Sequence, residues 1–394
     1  MPVKNQRLKE NLELFSFPRL SGTDNEKRAF ALLKDKLNKK EVEYYTQPFS
    51  FSTFYSRIYP KISLSFCFWL FALFFFAMSP FIFCLQIIII SAVLFSLILL
   101  TRRPENINFG KVLDSQNVIV RIPSKGEELK NGETYTDKTE EIFIFAHLDS
   151  KSQRLSIRTR IYAFMLWSVS SITITASIIL RIFLPQLQFL FYTVGLIFLG
   201  INLISVILIV VNRTTNKSPG ALDNGSGTVC ILEILNHFEE TNMQLNNYNI
   251  SIIFIGAEEC GTMGIRHYFK KINSADKNTS YIINIDAVGD NPAYFSNYIN
   301  HKKNVDLFHQ FKRIADKLNL DWKLENASFG VRSDGLFLRK EGFHGFGFGD
   351  LKVYKYVHSK KDTVDKVSIS VLEKICKFII SAVRILDQRQ DKDI

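Results

Sequence analysis

The sequence predicts an α/β domain, a mixed and mostly parallel sheet flanked by helices, with two transmembrane helical hairpins inserted into it. Three observations carry that prediction. Short β-branched and aromatic runs alternate with amphipathic stretches of helical spacing, the pattern of layered α/β folds. Several of these apolar runs lead into segments rich in acids and histidines, where a strand delivers side chains to the edge of a sheet. Two further stretches, 62–100 and 161–211, are too long and too apolar for a soluble core; the first has no charged side chain and the second only Arg181.

Residues 5–45 read as helical and soluble. Leu8, Leu12, Ala29, Leu32, Leu33 and Leu37 fall near helical spacing, and Ser21-Gly22-Thr23-Asp24 breaks the run and offers caps for a second helix. Val42-Glu43-Tyr44-Tyr45-Thr46 alternates like a strand. Asn117–Ile122 and Ile142–Ala146 read as strands. Thr228–Glu239 reads as an amphipathic helix with Val229, Ile231, Leu232 and Leu235 inward. Ile250–Gly256 and Tyr281–Asp286 follow as buried strands, Val305–Leu318 as a helix, Phe343–Gly349 as a Gly-rich strand and Val367–Leu386 as a C-terminal helix.

About 20 residues cross a bilayer as a helix. Each long apolar stretch therefore divides in two, at Ser79-Pro80 and at Arg181–Gln186, into helices near 62–79, 81–100, 161–180 and 187–211. Arg57, Lys61, Arg102, Arg103, Arg154, Arg158, Arg160, Arg213 and Lys217 flank the ends where the hairpins leave and return, whereas the far turns hold only Arg181. The positive-inside rule then puts the soluble part in the cytoplasm. The expected division is a soluble domain over 1–56, 104–156 and 214–394, one hairpin over 57–103 and a second over 157–213.

The net charge of +11 does not point to nucleic acid, because Lys and Arg are scattered and many border the apolar stretches, where anionic headgroups would meet them. The expected partner is the lipid bilayer. The five cysteines show no pairing pattern, which favours a reducing compartment. The start, Met1-Pro2-Val3-Lys4-Asn5, is polar, so no signal peptide is expected. Sequons at Asn212, Asn216, Asn224, Asn278 and Asn326 are no more than an Asn-rich chain holds by chance.

The chemistry sits in five short segments: Ala146-His147-Leu148-Asp149-Ser150, Gly220-Ala221-Leu222-Asp223-Asn224-Gly225, Ala257-Glu258-Glu259-Cys260-Gly261, Asn284-Ile285-Asp286 and Val357-His358-Ser359. Two imidazoles and several carboxylates suit zinc or a similar borderline ion. A pair of ions flanking an attacking water needs a shared carboxylate, and a free carboxylate beside it to move the proton. Each segment alone has a duller reading: Asp223-Asn224-Gly225 as a turn, Glu258-Glu259 as a solvated helix start, His147 as a satisfied core histidine. Coincidence of all five in this order is the weaker explanation.

Taken together, the motifs resemble peptidase family M28, the zinc aminopeptidases, and its glutaminyl-cyclase relatives, from Pro18-Arg19-Leu20-Ser21-Gly22-Thr23 to the C-terminal helix. The resemblance implies a zinc-exopeptidase-like fold and two zinc ions, with other divalent ions such as cobalt or manganese as alternatives. Asp223 would bridge the ions, His147 and Asp286 would complete one site, and Glu259 and His358 the other. Glu258 would be the general base, and Asp149 would hold the far nitrogen of His147. In such families the peptide after the bridging aspartate, here Asp223-Asn224, is often cis. The implied activity is removal of N-terminal residues from a peptide substrate. Asp334 matches a family position near the pocket only loosely, and Asp362 is expected to support the loop of His358. His237, His267, His301, His309 and His344 are expected to be structural or surface residues.

The chain departs from the family between His147 and Asp223, where an apolar hairpin replaces a short loop. Three other readings compete. A glutaminyl cyclase would use one zinc and the same paired glutamates, and Asp149-Ser150-Lys151 suits it. An inactive M28-like binding protein would usually have lost ligands that are all present here. A transporter with a soluble appendage would carry inward ionisable groups in its spans. Substrate side-chain preference and oligomeric state leave no mark in the sequence.

Overall fold

In the computed structural model the described residues are 3–76, 80–125, 140–273, 275–289, 293–297, 305–320, 322–325 and 332–390. His301 and Asn326 lie outside them. The chain divides into two units, one of Met1–Ser50, Leu113–Ser152 and Asn216–Ile394, the other of Phe51–Val112 and Gln153–Thr215.

The first unit is built on an eight-stranded sheet. Its strands are β1 (Tyr45–Ser52), β2 (Val112–Ile122), β3 (Glu141–His147), β6 (Asn249–Ile255), β7 (Tyr281–Ile285), β8 (Ala293–Asn297), β9 (Trp322–Glu325) and β10 (His344–Gly349), in the order β1-β2-β6-β3-β7-β10-β8-β9. Two-residue strands β4 (Ser152–Gln153) and β5 (Thr214–Thr215) bracket the second hairpin. The centre is parallel: β3 pairs with β6 and β7, and β10 pairs with β7, all in one direction. β2 runs antiparallel to β6 and β8 antiparallel to β10. Every residue of β3 and β6 is buried, as expected for central parallel strands covered on both faces.

Helices α1 (Asn5–Phe15), α2 (Asp24–Asn38), α7 (Ser226–Glu240), α8 (Met263–Ile272), α9 (Val305–Lys317), α10 (Asp334–Lys340) and α11 (Ile369–Gln390) flank this sheet. α7 is sunk so deeply that only His237, Glu239 and Glu240 of its fifteen residues escape full burial. One core face joins Phe143 and Phe145 of β3, Ile253 and Ile255 of β6, Tyr268 and Ile272 of α8, and Phe343. The mixed, mostly parallel sheet with flanking helices is the fold class the sequence predicts. Two details differ. The first strand begins at Tyr45 rather than Val42, because Glu41 takes a left-handed turn (φ +58°) and the chain becomes extended in the ladder only afterwards. The short strands β8 and β9 were hidden by their mixed polarity.

The parallel register positions the chemistry. His147, the last residue of β3, lies opposite Ile255, the last of β6. Glu258 and Glu259 follow β6 within four residues, and Asp286 follows β7 directly. Loops at the carboxyl ends of parallel strands therefore gather at one edge, the usual crevice of open α/β sheets.

The second unit holds α3 (Tyr59–Phe76), α4 (Pro80–Thr101), α5 (Ile157–Phe183) and α6 (Gln188–Val211). The described residues include four helices long and apolar enough to cross a membrane. α5 begins at Ile157, earlier than the apolar stretch, because Ser156 caps it by accepting from the Thr159 amide. Phe75, Ile174 and Leu199 form a buried cluster. Asn202 is fully buried and its amide donates to the Trp167 carbonyl and to the hydroxyls of Ser170 and Ser171, tying α6 to α5. Arg181 donates to the Phe75 carbonyl at 3.1 Å and lies over the rings of Phe75 and Tyr192.

Candidate active site

The five ligand-type residues read from the sequence converge. His147, Asp223 and Asp286 offer atoms within 4.8 Å of one another, and so do Asp223, Glu259 and His358. Asp223 belongs to both groups through different oxygens. Its Oδ1 is 3.2 Å from His147 Nε2, and its Oδ2 is 3.1 Å from His358 Nε2. Asp286 Oδ1 is 3.4 Å from His147 Nε2, and Glu259 Oε1 is 3.1 Å from His358 Nε2. Glu258 Oε2 stands 4.0 Å from His147 Nε2.

Local chemistry sets these positions. The Asp223-Asn224 peptide is cis. The Asn224 side chain donates to the Ile285 carbonyl at 2.7 Å and accepts from the amides of Gly227 and Ala287. Ser226 Oγ donates to the Leu222 carbonyl and accepts from the Val288 amide. These bonds stitch the turn of Asp223 to the turn of Asp286. Ala257, Ala287 and His358 all adopt left-handed φ values of +53° to +59°. Non-glycine residues rarely do so, and such strain persists where surrounding bonds over-determine it. Here it lies beside Glu258, beside Asp286 and at His358 itself.

Asp149 is fully buried at the hub. Its Oδ1 accepts from the Glu258 amide and its Oδ2 from the Glu259 amide, both at 3.1 Å, and Ser21 Oγ donates to Oδ2 at 2.5 Å. His147 Nδ1 lies 3.1 Å from the Asp149 carbonyl and 3.5 Å from the carboxylate. The main-chain oxygen is thus the nearer partner of the imidazole, while the carboxylate chiefly holds the Glu258-Glu259 turn. Asp362 joins two loops: its carboxylate accepts from the amides of Leu222 at 2.6 Å and Asp223 at 3.3 Å, and its own amide donates to the Ser359 carbonyl beside His358 at 3.3 Å.

Three groups take site roles that the sequence did not specify, although Arg19 and Lys151 lie inside motif segments and Asp334 loosely matches a family position. Arg19 is completely buried and donates to the carbonyls of Leu148, Phe17, Pro219 and Gly220, which joins the segment of His147 to that of Asp223. Lys151 pairs with Glu259 Oε2. Asp334 is 1% exposed and neither of its carboxylate oxygens has a hydrogen-bond partner among the described residues. The roles of Arg19 and Lys151 do not follow from spacing, because most of their partners lie more than a hundred residues away. Away from the site, His267 stacks on Phe49 at 4.7 Å, a structural role.

Buried carboxylates dominate the electrostatics of the site. Burial pushes the Glu258 carboxyl well up, helped by the charges of Glu259, Asp334 and Asp286. Burial likewise raises Asp286, and Asp334 well above the ordinary range. Burial alone would lower His147, but bonds to Asp149, Asp223 and Asp286 hold it well above its usual value. Burial opposes ionisation of Asp223 too, yet the two imidazoles hold it well down. Burial raises Asp362 to about 7, with the Asp223 charge adding to it. Asp149, Asp223, Glu258, Glu259, Asp286 and Asp334 thus crowd around two imidazoles, one ammonium and the buried Arg19 guanidinium. Buried carboxylates in such excess call for cations, and a carboxylate–imidazole set of this kind fits borderline divalent ions.

Residues 208–383 match the family model Peptidase family M28. The chain is 26% identical over 176 residues to Aminopeptidase YwaD of Bacillus subtilis, a match covering 42% of this chain and 37% of that protein. It is 24% identical over 180 residues to Probable aminopeptidase YDR415C of Saccharomyces cerevisiae, covering 42% and 47%. The matches span less than half the length of either relative. Among solved structures, BSAP, a zinc aminopeptidase from Bacillus subtilis, superposes with a TM-score of 0.55 at 14% identity, over 97% of this chain and 95% of that one. An Acidobacteriales bacterium glutaminyl cyclase gives 0.54 at 15% identity, over 99% and 96%. Sheet topology, the order of the five site segments and the sequence matches all point to peptidase family M28, whose model matches residues 208–383 of this chain.

Proposed function

We propose that the protein is a membrane-anchored metallo-exopeptidase that removes N-terminal residues from peptides. One observation carries the reading: a single buried carboxylate, Asp223, presents one oxygen to His147 and the other to His358. That is the arrangement of a bridging ligand between two ions. His147, Asp223 and Asp286 would hold one ion, and Asp223, Glu259 and His358 the second. Two bound divalent ions, zinc first among them, would supply Lewis acidity and acidify water at neutral pH.

The chain's own residues do the rest. Glu258 has no place in either ligand group, and its proton affinity is raised by burial. It takes a proton from the attacking water and returns it to the leaving amine. Asp149 fixes the backbone of the Glu258-Glu259 turn, so base and ligand hold their separation through the cycle. The four apolar helices anchor the chain in a bilayer, and the basic residues at the hairpin ends favour a cytoplasmic peptidase domain.

The test is Glu258→Gln in detergent-purified protein, assayed on aminoacyl-naphthylamides and short peptides, with metal content measured on the same samples. Loss of 10²–10⁴-fold in kcat with unchanged metal content is expected, the size of a general-base contribution. A Glu258→Gln variant that retains the parental rate refutes the mechanism. Near two zinc per chain supports the peptidase, and near one the cyclase.

A further inference from the structure

We propose that the groove between α3, α4 and the end of α6 is a binding site for an anionic phospholipid, with the phosphate at Lys61 and Arg213 and an acyl chain along the groove. The inference rests on the membrane reading above. The cavity measures about 590 Å³ and is lined by Lys61, Ser65, Trp69, Gln86, Ile89 and Val210 among others. Lys61 and Trp69 are eight residues apart on α3, about 12 Å of helix. α4 runs back along the opposite wall from Gln86 to Ile90, so the groove extends lengthwise along the helices.

The two ends differ in chemistry. Lys61 Nζ donates to the carbonyls of Val210 at 2.7 Å and Asn212 at 2.8 Å, the last turn of α6. Two of its three N–H groups are therefore spent on fixing it at the mouth, and the third and the full charge remain. Arg213, the next residue after Asn212, is exposed. Two cations thus meet where the hairpin ends. Below them the wall is mostly hydrocarbon, with Ile89 and Trp69 each at least half exposed along it and Ser65 and Gln86 as its polar members. An acyl chain fills such a trough mainly against apolar side chains, while a phosphate ester satisfies the mouth.

Charge in this unit selects the occupant. Residues 51–112 and 153–215 carry ten Lys and Arg against a single acid, Glu105, and nine of the ten flank the hairpin ends. Charge complementarity therefore favours an anionic over a zwitterionic headgroup. A second copy of this chain is disfavoured, since it would bring a like-charged collar to the same mouth.

The experiment uses the full chain in vesicles of phosphatidylcholine with and without phosphatidylglycerol, followed by detergent extraction and native mass spectrometry. The parent is expected to retain one phosphatidylglycerol in preference to phosphatidylcholine. Ser65→Trp, which fills the groove one helical turn from Lys61, and Arg213→Ser should each lower that adduct roughly tenfold or more. Equal retention of both lipids, or an adduct unchanged in Ser65→Trp, overturns the site. A dimer in place of lipid adducts overturns it in favour of a second copy. Extraction of the chain from vesicles by carbonate wash would instead overturn the membrane reading itself.

Discussion

Replacing Asp149 by alanine separates two accounts of that residue. A carboxylate that only orients His147 affects one ligand. The geometry assigns it more: it accepts from the amides of Glu258 and Glu259 at 3.1 Å each and from the Ser21 hydroxyl. Alanine leaves two buried N–H groups without an acceptor, each costing about 1–3 kcal/mol. The expected destabilisation is about 2–6 kcal/mol, a large share of a domain stability of about 5–15 kcal/mol. Asp149→Asn keeps one acceptor oxygen and turns its NH₂ toward a donor, so about half that loss is expected. Outer-shell changes of this kind weaken metal binding about 10–100-fold, and on the proposed two-ion reading the loss should be greater for the ion of Asp223, Glu259 and His358. The assays are denaturant unfolding and stepwise cobalt titration of detergent-purified protein. Unfolding midpoints within error of the parent, or a loss confined to the ion of His147 and Asp286, would refute the hub role.

Three further outcomes follow from the same physics. Burial first, then the nearby Asp149 charge, raises the Glu26 carboxyl to about 8, against an ordinary value near 4.5. The folded state then binds more protons than the unfolded between those values, so its stability falls as pH rises across that window; thermal melts from pH 5 to 8 should show a shallower fall in Glu26→Gln. Chelation should lower the melting temperature, and readded zinc should restore about 2.7 kcal/mol per site at a hundred times Kd; a melt insensitive to chelator and zinc would count against ion binding. A Cβ on Gly264 would meet the Gly256 carbonyl at 2.1 Å and Asn117 Oδ1 at 2.7 Å, so Gly264→Ala should cost about 1–3 kcal/mol in a urea melt by overpacking beside the Glu258 turn.

The parts of this molecule legible in sequence are those whose cause is local. The run Ile142–Ala146 is buried on both faces, and only a central strand needs that, so β3 and the histidine at its end could be read together. α7 shows its apolar face within two turns. β8 and β9 could not be read, because Ala293–Asn297 and Trp322–Glu325 mix polarity and owe their conformation to β10 and to each other. Arg19 shows the same limit at the site. Its four carbonyl partners include Leu148, 129 positions away, and Gly220, 201 away. No pattern in Pro18-Arg19-Leu20 announces that a buried guanidinium will join two ligand loops.

The hairpins bear on why the site could be read despite a broken spacing. Between His147 and Asp223 the chain carries α5 and α6, which should have obscured a motif that usually closes in a short loop. But the insertion begins and ends at one place: the Arg154 amide donates to the Arg213 carbonyl at 3.0 Å, and the Leu155 amide to Asn212 Oδ1 at 3.0 Å. The first hairpin closes in the same way, with the Thr53 amide on the Lys111 carbonyl at 3.0 Å and Ser52 Oγ on the Phe109 carbonyl at 2.6 Å. An insertion whose ends meet is tolerated much as a domain inserted into a loop is. The entropy of closing a longer loop grows only with the logarithm of its length. The ligand loops are meanwhile held by bonds to one another, Asn224 to Ile285 and Asp149 to Glu258, and none of these runs through the hairpins. Order along the chain therefore survives where spacing does not, and order is what the five segments preserved.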